Sequence, residues 1–91
     1  MKIVFDKPLS FEGKEYAELD LNLDGLTGQD MINADIEARI LGDKTAMLEV
    51  SKTYQAIIAA KAAKVPVELI KTLPAKEFSR ITGNVFNFLF S

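Results

Sequence analysis

Residues 2–31, KIVFDKPLSFEGKEYAELDLNLDGLTGQDM, decide how this chain folds. Leu19, Leu21 and Leu23 alternate with Glu18, Asp20 and Asn22, the two-residue period of a strand with one buried face. Ile3 and Phe5 set the same period in an earlier strand, and Gly13 marks the turn between the two. Spacing then tests the register. A two-residue loop, Glu12-Gly13, would pair Asp6 with Leu19 and set Phe5 opposite Asp20, mixing the faces, because a one-residue slip inverts every side chain. A three-residue loop from Glu12 to Lys14 instead pairs Phe5 with Leu21, Ile3 with Leu23 and Leu9 with Ala17. This second register is expected, with room for a bulge at Pro8. Its outer face carries Asp6, Ser10, Tyr16, Glu18, Asp20 and Asn22. A lone hairpin is barely stable in water, so helices must cover its apolar side.

The helices begin where the hairpin ends. Thr27, followed three residues later by Asp30, resembles a capping box with Asp in place of Glu, and Leu26 and Met31 are spaced as a hydrophobic staple. A first helix is expected from about Gly28 to Leu41, with Gly42 as its left-handed stop. Its apolar residues form two stripes: Ile32, Ile36 and Ile40; and Met31, Ala34, Ala38 and Leu41. Asp35 and Arg39, an i,i+4 pair, lie between them. One reading wedges this helix between sheet and neighbouring helix. The other lets the Met31/Leu41 stripe meet another chain.

A second helix is expected from a Thr45 cap to about Lys64, with Met47, Val50, Tyr54, Ile57 and Ile58 as its core stripe. Ala56, Ala59, Ala60 and Ala63 make a smooth opposite side. High helix propensity accounts for them, with close helix-to-helix contact as the alternative. Pro66 and Pro74 each suit a first helical position. They predict a short helix from Pro66 to about Lys71 and a last one from Pro74 to about Phe90. On that last helix Phe78, Ile81, Val85, Phe88 and Leu89 share a core side, while Phe86 and Phe90 point a quarter-turn or more away. No charged side chain follows Arg80. Exposed phenyl rings are an aggregation hazard, so either the chain's own core or a partner covers them. The fold class is therefore α+β: an N-terminal antiparallel hairpin (1–24) against a bundle of three to four helices (27–91), one domain over 1–91.

Composition narrows the chemistry. Ninety-one residues, 48% of them apolar, allow a small core that hides roughly 60–65% of the unfolded surface. Cysteine, histidine and tryptophan are absent, which removes disulfides, thiolate metal clusters and the usual general base near neutral pH. Ser10, Ser51 and Ser79 have no base to activate them, and carboxylate pairs such as Glu12/Glu15 or Asp43/Glu49 lack an apolar pocket to raise a pKa. No catalytic residue, cofactor or metal ligand is assigned. Net charge is −2 and the lysines are scattered, so nucleic acid is not an expected partner. Apolar runs fall far short of the roughly 20 residues a membrane span needs, and Asp6 interrupts the segment where a signal peptide stays apolar. A cytoplasmic protein is expected.

One motif imitates a metal site. Asp20 to Gly25, DLNLDG, matches the opening of a calcium loop, in which alternate oxygen ligands wrap the ion. The closing bidentate Glu would fall at Met31, whose thioether suits a hard cation poorly, and a strand rather than a helix precedes the loop. Alternation on a solvent-facing strand explains Asp20 and Asn22 without an ion.

An opening strand, then Pro8, Phe11, Gly13-Lys14 and Tyr16 around the turn, a leucine-alternating strand and Leu26-Thr27-Gly28-Gln29-Asp30 at a helix start together resemble the small tail assembly chaperones of long-tailed bacteriophages and related prophages. Recognisable residues run from Ile3 to about Leu41. Beyond them only the pattern agrees: an alanine-rich helix, a proline-broken segment and an apolar last helix. The resemblance implies a non-enzymatic protein of the host cytoplasm, absent from the finished virion. It also implies that the protein coats the tape measure protein and recruits tail tube subunits, in many such phages alongside a frameshifted longer form. It offers no catalytic residues.

A holdase for a long helical client needs accessible apolar stripes, mild charge and self-association into a homo-oligomer. Met31, Leu41, Phe86 and Phe90 are the candidate partner-binding residues. The competing reading is a small interaction module or regulatory subunit that docks its apolar C-terminal helix into one fixed partner.

Overall fold

A computed structural model describes residues 1–91. Strands β1 (Lys2–Phe11) and β2 (Lys14–Asp20) form an antiparallel two-stranded sheet, and a 3-10 turn at Leu23–Gly25 leads into α1 (Gly28–Ile40). A second 3-10 turn, Leu48–Val50, precedes α2 (Lys52–Ala63), α3 (Val67–Lys71) and α4 (Ala75–Leu89). The class is α+β, with the hairpin ahead of four helices.

The hairpin turns on two residues, not three. Phe11 faces Lys14, and Glu12 and Gly13 take positive φ angles of 50° and 77°. Two consecutive left-handed residues match the twist of the flanking strands. The mixing of faces that argued against this loop is avoided further along. Leu9 pairs with Tyr16 but Val4 pairs with Glu18, so Phe5 to Pro8 stand against Ala17 alone. Pro8, with no N–H to give a ladder, sits within this bulge. The offset brings Ile3 opposite Leu19 rather than Leu23, and Ile3, Phe5 and Leu19 are all buried. Tyr16 shares the inner face with Leu9 and packs half-buried against the core, which corrects its expected outward position. Asp6, Ser10, Glu18, Asp20 and Asn22 are exposed as expected.

Local signals at the ends of α1 act as read. The Thr27 hydroxyl accepts from the Asp30 N–H at 3.3 Å, and the Asp30 carboxylate accepts from the Thr27 N–H at 2.8 Å. Thr27 therefore holds Asp30 ionised and its pKa below the usual carboxylate range. At the other end Gly42 (φ +94°) donates to the Arg39 carbonyl and Asp43 to that of Ala38, both at 3.0 Å. These two bonds close a Schellman motif.

Helix α2 is the centre of the molecule, and here the structure corrects the sequence reading. Its cap is Ser51, which accepts from the Tyr54 N–H at 3.3 Å; Thr45 lies in the preceding loop. With the start moved six residues on, Met47 and Val50 leave the core stripe and are exposed, and Leu48 is buried in their place. Tyr54, Ile57 and Ile58 are buried as expected, but so are Ala56, Ala59, Ala60 and Ala62. The alanines are contact surfaces: α1, α3 and α4 all pack on this one helix. The turn after β2 also touches it, Asn22 N–H donating to the Ala62 carbonyl at 3.2 Å. That bond satisfies one of the four carbonyls left open at a helix C-terminus.

Pro66 and Pro74 are each the cap residue of α3 and α4, one position before the helices start. Ile81 and Val85 of α4 have no exposed surface, while Phe78, Phe88 and Leu89 border the same core half-buried.

Candidate protein-binding surfaces

The inner row of α4 leaves Phe86 and Phe90 on its outer side, 41% and 48% exposed. Their spacing of four residues stacks one above the other, ring centroids 4.7 Å apart and planes tilted by 38°. Tilted aromatic pairs at this separation attract each other, so the two rings form one patch rather than two loose side chains. α4 carries no charge beyond Arg80.

The two candidates on α1 do not form a comparable patch. Met31, like Leu26, is half-buried against the core. Leu41, 53% exposed, lies at the opposite end of the helix, about 15 Å away at 1.5 Å per residue. There it joins Ile40, Val65, Pro66 and Val67 around an open groove of about 500 Å³ between α1, α2 and α3.

The reading of α1 as wedged between layers is corrected as well. Only Ala34 and Ala38 are buried, and they seat the helix on α2; Ile32, Ile36 and Ile40 face water. The sequence contained a signal for this. Of two apolar stripes on one helix, the one built from small residues permits the closer approach, and the bulky one is then left outside.

A polar cluster tethers the loop ahead of α2. Ser51 donates to the Asp43 carboxylate, which also accepts from the Thr45 N–H at 2.9 Å. The Ser51 and Thr45 hydrogen bonds hold Asp43 at a pKa of about 2. So acidic a group is too weak a base to take a hydroxyl proton near neutrality, and the trio serves as a loop tether and helix cap. Asp6 is likewise held low by its 2.8 Å contact with Lys76. Asp20 pairs with the N-terminal ammonium at 3.3 Å. No three carboxylates approach closely enough to hold a metal.

The family model for phage tail assembly chaperone proteins, E, or 41 or 14, matches residues 2–89. The chain belongs to this family. For this phage tail assembly chaperone the match extends well past Leu41, where recognisable residues ended, and takes in α2, α3 and nearly all of α4. The family gives it a role in tail assembly among protein partners of the tail, and chaperone membership points to a non-enzymatic role. No curated protein and no solved structure matches the chain. No helix of the chaperone is long and apolar enough to cross a membrane.

Proposed function

We propose that the protein binds the tape measure protein in the host cytoplasm, keeps it soluble and helps recruit tail tube subunits, and is left out of the mature virion. The observation that carries this reading is the Phe86/Phe90 pair. It is an aromatic patch on a packed helix, in a chain whose family works on tail proteins. A tape measure client presents long amphipathic helices, and their apolar faces match a shallow aromatic surface. Leu41, exposed at the end of α1, offers a second, smaller contact of the same apolar chemistry.

The test is co-expression of the chain with its tape measure protein, followed by co-purification. The double variant F86S/F90S should keep wild-type helical content and lose at least ten-fold in client retention. Undiminished retention would refute the assignment of this patch. Failure of the wild-type chain to hold any tape measure protein would refute the client itself.

A further inference from the structure

Three lysines surround one open, polar cavity of about 500 Å³ where the α1–α2 loop, the start of α2 and the end of α3 meet. Lys44 comes from the loop, Lys52 is the first residue of α2 and Lys71 the last of α3, and all three are exposed. The chain has eleven basic side chains, and five of them, Lys2, Arg39, Lys61, Lys76 and Arg80, are in ion pairs with carboxylates. Half of the remaining six therefore line this one cavity. Lys52 Nζ donates to a neutral acceptor, the Thr82 hydroxyl at 3.2 Å, which leaves its charge uncompensated. A single carboxylate, Asp43, lines the same wall, and it is already engaged by the Ser51 hydroxyl and the Thr45 N–H. It offsets one positive charge of three. The first turn of α2 adds to the imbalance: Ser51 caps the Tyr54 N–H, while the N–H groups of Lys52 and Thr53 have no acceptor in the chain.

We infer that this cavity binds an acidic segment of a protein partner, with carboxylates spread over Lys44, Lys52 and Lys71. The three ammonium groups belong to three separate elements around an open basin. A compact anion such as phosphate needs donors that converge on one point, whereas successive acidic side chains along a peptide can each meet a different lysine. A nucleic acid needs a basic track that follows its backbone, and outside this cavity most basic residues of a chain of net charge −2 are paired with carboxylates. The family's protein partners in the tail supply the matching class of ligand. Charge pairs at so accessible a site are screened by salt, so the contact steers and aligns a partner rather than holding it tightly. The site stands whether or not Phe86 and Phe90 grip the client.

The test is titration of the full chain with a hexaglutamate peptide, followed by amide shifts in NMR. Wild type should bind saturably, with the largest shifts at Lys44, Lys52, Thr53 and Lys71. Binding should weaken about five-fold or more between about 0.05 M and about 0.3 M salt. K44E/K71E should lose at least ten-fold in affinity with unchanged circular dichroism, while K7E/K14E, with the same change of net charge on the hairpin, should bind as wild type. Lys52 is left in place because it begins α2 and holds Thr82. Absence of saturable wild-type binding by about 5 mM peptide overturns the site, as do shifts centred elsewhere or an equal loss in both double variants. Inorganic phosphate or a single-stranded oligonucleotide that displaces the peptide at equal concentration overturns the acidic segment as its ligand. No arm contains the tape measure protein, so failure here leaves the F86S/F90S experiment to judge client binding by itself.

Discussion

Arg80 donates to the Glu77 carboxylate at 2.9 Å and to the Val4 carbonyl at 3.2 Å, joining α4 to the hairpin just where the bulge begins. Glu77 is almost wholly buried and this guanidinium is its one hydrogen-bond partner, which offsets the cost of holding a carboxylate there. Removing one member of a fully buried ion pair costs about 3–5 kcal/mol; Arg80 is partly solvated, which reduces the figure. Arg80→Ala should therefore cost about 2 kcal/mol in urea unfolding, and adding Glu77→Gln should recover part of it. The neighbouring Lys76–Asp6 contact is solvent-exposed on both sides, and Lys76→Ala should leave the unfolding midpoint in place.

Two residues with side chains occupy left-handed backbone that glycine or asparagine would take with less strain. Glu12 sits at φ 50° in the hairpin turn and Lys64 at φ 58° as the C-cap of α2. Glu12→Asn creates an Asn-Gly turn, and Lys64→Gly an unhindered helix stop. Each should stabilise the fold by about 0.5–1 kcal/mol, seen as a higher denaturation midpoint with unchanged slope.

The alanines of α2 are predicted to resist enlargement. Ala59 has no exposed surface, and Ala59→Leu should cost about 1–3 kcal/mol by forcing the neighbouring helices apart. Ile32→Gln on the bare side of α1 should change monomer stability by less than about 0.5 kcal/mol. Thermal melts of the two variants at low concentration separate these outcomes. A tolerated leucine at position 59 would contradict the packing described.

Capping at Thr27 and Ser51 should be measurable one helix at a time. Thr27→Ala and Ser51→Ala each remove an oxygen that accepts a backbone N–H and should cost about 1 kcal/mol. Because Ser51 also donates to Asp43, its loss should in addition raise the Asp43 pKa toward 3.8.

Acid should loosen the loop between α1 and α2. The Asp43 pKa is about 2 in the folded protein against 3.8 for an unperturbed carboxyl, so folding favours its ionised form. Its contribution is complete above about pH 4 and is lost as the pH falls through about 2. Asp6 and Asp30 are shifted in the same direction and add to the trend. Denaturant unfolding between neutral pH and about pH 2 should show stability falling on the acid side, less steeply in Asp43→Asn. An Asp43 carboxyl titrating near 3.8 by NMR would remove the basis of this prediction.

Features confined to a few neighbouring residues were open to reading. The Thr27–Asp30 box, the Gly42 stop, the starts of α3 and α4 beside Pro66 and Pro74, and the outward placing of Phe86 and Phe90 all follow from short-range hydrogen bonding and helical period. The hairpin register was not, because two loops satisfied the local rules and a four-residue bulge reconciled the shorter one with the buried face. Nor was the role of α2. Alanine favours a helix by propensity and a close contact by size, so the same residues fit both a solvent-facing and a central helix.

The sequence by itself determined the order of the elements, the ends of α1 and the class, since each rests on interactions within a turn or two of chain. Tertiary structure alone decided which apolar face was spent on the core. Helices approach most closely through their smallest residues, so Ala34 and Ala38 went inward and the isoleucines of α1 stayed in water.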